Sequence, residues 1–123
     1  MLSSMERTDE SSRFFVETHR PSREVAIVQA VGEIDLHTAP QFHEALVNLE
    51  TKHLVVDLSD CGFIDSTGLG VLVAASKRLR TETPPAVVCQ GRVREVFLLT
   101  GLERVFVPCD TVEEALALAD PAG

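Results

Sequence analysis

Ser66 is the residue whose surroundings most suggest chemistry. It stands in the run FIDSTGLGVL, residues 63–72, between Asp65 and Thr67. A serine hydroxyl can act as an enzyme nucleophile, accept a phosphoryl group as a regulatory switch, or cap the start of a helix. The neighbouring residues, and the elements that hold the serine, decide among these roles.

The sequence argues against a serine hydrolase. The nucleophile elbow of that class needs Gly-x-Ser-x-Gly, because a glycine must adopt the strained turn before the serine. Ile64 stands at the position of that first glycine. No spacing ties a histidine to Ser66; the histidines are His19, His37, His43 and His53.

Motifs for phosphate and metal binding are also missing from the sequence. Gly68 and Gly70 are not followed by the Gly-Lys-Ser/Thr of a P-loop, and no GxGxxG occurs. The odd number and wide spacing of the cysteines, without a CxxC pair, predict reduced thiols in buried or half-buried positions rather than a redox or metal-binding role. We therefore expect no cofactor, no metal and no enzymatic activity. The cysteines are Cys61, Cys89 and Cys109.

Asp57, at the end of an apolar run, resembles the phosphoryl acceptor of a receiver domain. That chemistry needs an acidic pair after the first strand and a lysine late in the sheet. The first strand offers only Glu17, and the two lysines, Lys52 and Lys77, lie elsewhere. We interpret Asp57 as a solvent-facing strand residue or a turn former.

Ser66 lies where a loop is predicted to become a helix. Position alone favours an N-cap, although Asp65 or Thr67 could cap the helix equally well. A phosphate at this point would face free backbone N–H groups and the positive end of the helix dipole. It would also add about -1.5 to -2 charges beside a docked partner. A regulatory serine therefore stays open as the second interpretation.

Strands and helices alternate along the chain after an opening pair of strands. Such alternation implies helical crossovers between parallel strands. The predicted fold is α/β, with a mixed, largely parallel sheet of four to five strands, an opening hairpin and about four helices. Hydrophobic patterning predicts strands at 13–19, 25–31, 53–58, 86–90 and 102–107, and helices at 39–50, 66–80, 93–101 and 112–119.

Helix starts and helix faces are also predicted. Thr38 with Gln41, and Thr111 with Glu114, have the spacing of capping boxes. Helical spacing predicts that one face of the helix at 66–80 points into the core, namely Leu69, Leu72, Val73, Ser76 and Leu79.

Composition limits the partners of the protein. The 123 residues carry a formal net charge of -8, which argues against binding to nucleic acid or to anionic lipid. No apolar run approaches the roughly 20 residues of a membrane span, and the amino terminus lacks the apolar core of a signal peptide. We expect a cytoplasmic protein with a disordered tail at 1–12 and one domain at 13–120.

Three segments together resemble STAS-domain anti-sigma factor antagonists. The run VVDLSDCGFIDSTGLGVL, residues 55–72, is similar to the signature of that family. GEIDLHTA, residues 32–39, and REVFLLTGLERVF, residues 94–106, are similar to two further family segments in the same order. The resemblance covers roughly residues 13 to 119.

The resemblance implies a binding protein that is switched by phosphorylation. Members capture an anti-sigma factor that is also a serine kinase, and so release a sigma factor. The kinase then phosphorylates the serine matching Ser66, and a PP2C-type phosphatase restores it. A STAS scaffold or binding subunit without this cycle is the alternative. The implied partner-binding residues are Asp35, which would shape the surface near Ser66, then Asp65, Ser66, Thr67 and Gly68, and on the exposed side of the helix Val71, Ala75 and Arg78.

Overall fold

The computed structural model describes residues 13–119. The predicted tail at 1–12, and residue 120 of the predicted domain, lie outside the described residues. The chain opens with β1, Phe15–Ser22, and β2, Val25–Ile34, which form an antiparallel hairpin. Every second residue of β2 from Ala26 to Ala30 is fully buried, as expected when one face of a strand covers a core.

Four further strands complete a largely parallel sheet: β3, His53–Asp57; β4, Cys61–Ile64; β5, Ala86–Val88; and β6, Val107–Cys109. The main order is β1-β2-β3-β5-β6, and β4 pairs with β2 outside this order. All pairings except that of β1 with β2 are parallel. The predicted α/β class is therefore confirmed.

Strand β4 was not predicted, because its residues were interpreted as a loop. β2 has 10 residues and β3 has 5, so the edge of β2 continues after the pairing with β3 ends at Gln29. β4 takes that free edge and pairs with Gly32–Ile34. β2 therefore runs past Gly32, where the prediction had ended it.

The helices are α1, Ala39–Val47; α2, Ser66–Arg78; α3, Gly91–Leu99; and α4, Val112–Ala119. Phe42, Leu72 and Phe97 bring α1, α2 and α3 into one core cluster on a single face of the sheet. Ala115 of α4 packs in a second, smaller cluster on the other face. The sheet thus lies between three helices and one. None of the described helices is long and apolar enough to span a membrane.

The segment after α3 differs from the prediction. A strand was expected at 102–107, but Leu102–Arg104 forms a 3-10 turn and β6 begins only at Val107. Leu102 and Phe106 are both buried, and the Phe106 N–H donates to the Leu102 carbonyl at 2.9 Å. Their four-residue spacing is a helical period, which the short apolar run concealed.

One predicted capping box is confirmed in part. Thr111 Oγ1 accepts from the Glu114 N–H at 3.1 Å, as the spacing requires. The Glu114 carboxylate does not reach back to Thr111, however, and instead accepts from the Asp110 N–H at 2.7 Å. Two hydrogen bonds therefore join Glu114 of α4 to the two preceding loop residues, Asp110 and Thr111.

Candidate functional site

The ends of β2 and β4 form the framework of the candidate site. Ile34 and Ile64 are paired residues of these parallel strands. The Asp65 N–H donates to the Ile34 carbonyl at 3.0 Å, so the two chains stay together for one residue beyond the strands. Asp35, which begins the loop before α1, and Asp65, which directly precedes α2, therefore both follow the paired isoleucines at the ends of these strands.

Asp65 caps α2. Its Oδ1 accepts from the Thr67 N–H at 2.9 Å and from the Gly68 N–H at 3.2 Å, and the Thr67 hydroxyl donates to the same oxygen. The Thr67 hydroxyl, with help from the N–H groups of Gly68, Thr67 and Leu36, lowers the pKa of the Asp65 carboxyl. The N-cap is Asp65, so the capping interpretation of Ser66 is wrong.

Ser66 is the first residue of α2 and is exposed. Within residues 13–119 its hydroxyl has no hydrogen-bond partner. The expectation that a phosphate would meet free N–H groups needs correction, because Asp65 already occupies those of Thr67 and Gly68. The Ser66 hydroxyl therefore points to solvent beside a carboxylate and is not needed to hold the helix.

Asp35 orders the loop that leads into α1. Its Oδ1 accepts from the His37 N–H at 2.9 Å and from the Thr38 N–H at 3.1 Å. Thr38 Oγ1 accepts from the Asp35 N–H at 2.9 Å and donates to the Glu33 carbonyl at 2.7 Å. Thr38 makes no side-chain cap, so the predicted capping box with Gln41 is wrong. The hydroxyl is instead used to close this loop.

Gly68, one of the implied partner-binding residues, is needed for packing. It is buried, and a Cβ there would lie 2.5 Å from Ile34 Cγ2 and 2.7 Å from Ile64 Cγ1. The start of α2 can approach the ends of β2 and β4 only because this side chain is absent. Gly70 is exposed, with open space where its Cβ would be.

The predicted faces of α2 need two corrections. Ala75, expected on the exposed side, is only 6% exposed and packs in the core. Val73, expected in the core, is 37% exposed. Ala75 is the residue that continues the buried row from Leu72, because residues three apart lie on one helical face. Ala75 is therefore not available to a partner without rearrangement of the core.

Val71 and Arg78 lie in different surroundings. Val71 is half-buried and faces α1, whereas Arg78 is exposed in the last turn of α2. Arg78 lies twelve positions after Ser66 along the helix, a rise of about 18 Å. The structure thus brings Asp35, Asp65 and Thr67 to the surroundings of Ser66, but it does not bring Arg78 there.

A shallow groove between α1 and α2 opens beside Thr67, with a volume of about 530 Å³. Leu36, in the loop ordered by Asp35, borders it and is 67% exposed. Sequence reasoning missed this groove, although an apolar Leu36 between two polar residues was a visible signal. Its lining residues are Leu36, Ala39, Pro40, His43, Glu44, Thr67 and Val71.

The remaining candidate residues have structural roles. Asp57 is 7% exposed, so the solvent-facing interpretation is wrong. Its Oδ1 accepts from the Ser59 N–H at 3.0 Å and from the Ser59 hydroxyl at 2.6 Å, which confirms the turn-forming interpretation. The three cysteines are free and buried, as predicted. Burial raises the pKa of the Cys89 thiol to about 11. Among residues 13–119, no three metal-ligating side chains gather into a site.

Comparison with known proteins places this geometry in a family. The sequence profile of the STAS domain matches residues 17–115. The anti-sigma-B factor antagonist of Listeria monocytogenes is 40% identical over 60% of this chain and 69% of its own length. The anti-sigma-F factor antagonist RsfB of Mycobacterium tuberculosis is 36% identical over 75% of this chain and 79% of its own.

A solved structure agrees with both sequence comparisons. The anti-sigma factor antagonist of Mycobacterium paratuberculosis superposes with a TM-score of 0.82, at 33% identity, over 89% of this chain and 97% of its own. Fold and sequence therefore agree over nearly the whole described region. The chain belongs to the STAS domain family, among relatives named as anti-sigma factor antagonists.

Proposed function

We propose that this protein is an anti-sigma factor antagonist that is switched off by phosphorylation of Ser66. In its unphosphorylated form it binds an anti-sigma factor that is also a serine kinase, and so frees a sigma factor. A PP2C-type phosphatase returns the serine to the binding form. The protein acts in the cytoplasm and is a binding protein, not an enzyme.

The observation that carries this proposal is that the Ser66 hydroxyl has no hydrogen-bond partner among residues 13–119, at a helix start that Asp65 already caps. A serine that capped the helix would lose a structural bond when phosphorylated. Ser66 can accept a phosphoryl group while the capping bonds to Asp65 stay in place. Modification therefore changes the surface of the protein and leaves the fold intact.

The same geometry explains why a phosphate would weaken binding. Phosphorylation adds about -1.5 to -2 charges directly beside the Asp65 carboxylate. The N–H groups of Thr67 and Gly68 are occupied by Asp65, so they do not absorb the new charge. A kinase that phosphorylates Ser66 must also hold its nucleotide phosphates close to this hydroxyl, because transfer requires near contact. Two phosphates would then face each other in the complex.

Phosphate transfer with purified proteins tests the proposal. The protein is incubated with ATP and each histidine-kinase-like anti-sigma factor of its host, and the modified residue is mapped by mass spectrometry. We expect phosphate on Ser66 alone, and none on the Ser66→Ala variant. Absence of modification by every such kinase would refute the switch. Binding without phosphate transfer would favour the STAS scaffold without a phosphorylation cycle.

A further inference from the structure

Another cavity opens between the carboxyl ends of α1 and α2, and we call it the arginine cavity. Its volume is about 510 Å³. Arg78 and Arg80 line one wall, and the chain from Val47 to Thr51 lines the other. Arg20 reaches the same place from β1, because its Nη2 donates to the Glu50 carbonyl at 2.7 Å. Three arginines therefore meet around one cavity.

Basic residues are concentrated at this end of the protein, where β2, β3 and β5 begin, although the chain as a whole is acidic. Main-chain hydrogen bonds join the segments that carry them: the Lys52 N–H donates to the Glu24 carbonyl at 3.1 Å, and the Glu82 N–H donates to the Lys52 carbonyl at 2.7 Å. Six of the eleven lysines and arginines lie here, but only three of the nineteen acidic residues. The six basic residues are Arg20, Arg23, Lys52, Lys77, Arg78 and Arg80, and the three acidic ones are Glu24, Glu50 and Glu82.

Most of these cations form no ion pair within residues 13–119. Lys52 pairs with Glu24 at 3.3 Å and lies 4.0 Å from Glu82, so it engages two of the three carboxylates. The other five cations have no carboxylate within ion-pair distance among the described residues. Positive charges held close together repel one another, and a bound anion relieves that repulsion.

The helix dipole explains only part of this cluster. Lys77 and Arg78 lie in the last turn of α2, where a cation complements the negative end of the dipole. Arg20 and Arg23 belong to the hairpin of β1 and β2, so the dipole of α2 does not require them. A surplus of positive charge therefore remains at the arginine cavity.

The lining of the arginine cavity combines apolar and basic groups. Val47, Leu49 and Leu79 are half-buried there. A carboxylate can bind an arginine through two parallel hydrogen bonds, and an apolar side chain beside it would cover the leucines. Glu50 also lines the cavity, so a continuous polyanion such as nucleic acid would meet repulsion. These features fit a peptide segment in which acidic and apolar residues are interspersed.

We propose that the arginine cavity binds an acidic segment of a partner protein. Carboxylates of that segment pair with Arg78 and Arg80. One of its apolar side chains packs on Leu49 and Leu79. The cavity lies at the far end of α2 from Ser66, a helix rise of about 18 Å, which exceeds the Debye length of about 8 Å at physiological ionic strength. The protein can therefore hold this partner with or without a phosphate on Ser66.

A titration followed by NMR tests the site. The ¹⁵N-labelled protein is titrated with a synthetic peptide of repeated Glu-Glu-Leu triplets, which carries both kinds of group. We expect the backbone amides of residues 47–51 and 78–80 to shift, and those of residues 65–68 to stay unchanged. Peptides of Gln-Gln-Leu and of Glu-Glu-Ser triplets should bind about fivefold more weakly, because each lacks one of the two groups. No shift at the cavity, or equal binding of the three peptides, would overturn the proposal.

Three arginine variants separate the site from general charge attraction. Arg78→Gln and Arg80→Gln should each weaken binding of the Glu-Glu-Leu peptide about threefold to fivefold. Arg92→Gln is the matched control and should change it less than about twofold, because Arg92 stands at the start of α3, beyond the carboxyl end of β5. All three side chains are exposed, so each variant should fold. The same loss in all three would refute the site and assign the attraction to net charge.

Other titrations distinguish the class of partner. Duplex DNA and vesicles that contain phosphatidylserine are added in the same way, and tighter binding of either would overturn the choice of a protein segment. Shifts of residues 78–80 that change on dilution of the protein alone would assign the cavity to a second copy of this chain instead. The inference does not depend on the proposed function: Ser66→Asp should bind the Glu-Glu-Leu peptide within about twofold of wild type, and failure of the cavity leaves the phosphorylation of Ser66 untouched.

Discussion

Asp35 and Asp65 make the same turn at the ends of two neighbouring parallel strands. Each follows one member of the Ile34–Ile64 pair, and each accepts N–H groups from the residues two and three positions ahead. Because the two turns follow paired residues of parallel strands, α1 and α2 both start from the same end of the sheet. This repeated turn places Ser66 and the α1–α2 groove side by side.

Removal of the two neighbouring side chains should separate capping from switching. Asp65→Ala removes the acceptor of the Thr67 and Gly68 N–H groups and should lower the Tm by about 3–6 °C. Ser66→Ala removes a hydroxyl without a described partner and should change the Tm by less than about 2 °C. Differential scanning calorimetry gives both values. An equal loss in the two variants would mean that Ser66 is structural.

A negative charge at Ser66 should weaken partner binding without loss of stability. An acidic residue in the first turn of a helix is favoured by the helix dipole, so Ser66→Asp should fold normally. Its affinity for the anti-sigma factor should fall at least tenfold, although aspartate carries less charge than a phosphate. Isothermal titration calorimetry measures the change, with Ser66→Ala as the uncharged control. Equal affinity of Ser66→Asp and Ser66→Ala would count against exclusion by charge.

The two glycines of α2 should respond in opposite directions to alanine. Gly68→Ala places a methyl group 2.5 Å from Ile34 Cγ2 and should destabilise the domain by about 1–3 kcal/mol. Gly70→Ala meets open space in a helix and should stabilise it by about 0.5–1 kcal/mol. Urea unfolding followed by circular dichroism measures both. A neutral Gly68→Ala would show that α2 can move away from β2 and β4 at little cost.

The buried Cys89 thiol should make stability fall in alkaline solution. Burial raises its pKa from 9.0 to about 11, so the thiol stays neutral in the folded protein while it ionises in the unfolded chain. The stabilisation is complete below pH 9 and is lost as the pH rises from about 9 to about 11, by an amount of order 2 kcal/mol.

Urea unfolding at pH 8 and pH 10.5 measures this loss. Cys89→Ala lacks the thiol and should lose less stability over the same interval, even if it is less stable at pH 8. The same pH dependence in Cys89→Ala and wild type would assign the loss to other groups. Cys61 and Cys109, whose pKa values burial also raises, remain in both proteins.

The sequence by itself determined the order of the elements and the run that holds Ser66. Helical patterns are local, so Leu72 was already predicted to face the core, and it is fully buried. Tertiary structure decided what depends on neighbours distant in sequence. Cys61–Ile64 forms a strand because it pairs with the free edge of β2. The start of α2 packs so closely against Ile34 that position 68 has no room for a side chain.

The candidate site likewise combines features that the sequence predicts with features that only the tertiary structure sets. The residue types and spacing around Ser66 left a helix cap and a regulatory serine both open, and the family resemblance favoured the regulatory serine. The residue types did not identify which residue caps α2, because Asp65, Ser66 and Thr67 can all cap a helix. The pairing of Ile34 with Ile64 sets the direction in which the chain enters α2, and Asp65 then occupies the N–H groups of Thr67 and Gly68. The α1–α2 groove joins residues 36–44 to residues 67–71, and only the packed helices bring them together, because no local pattern encodes contact across that separation.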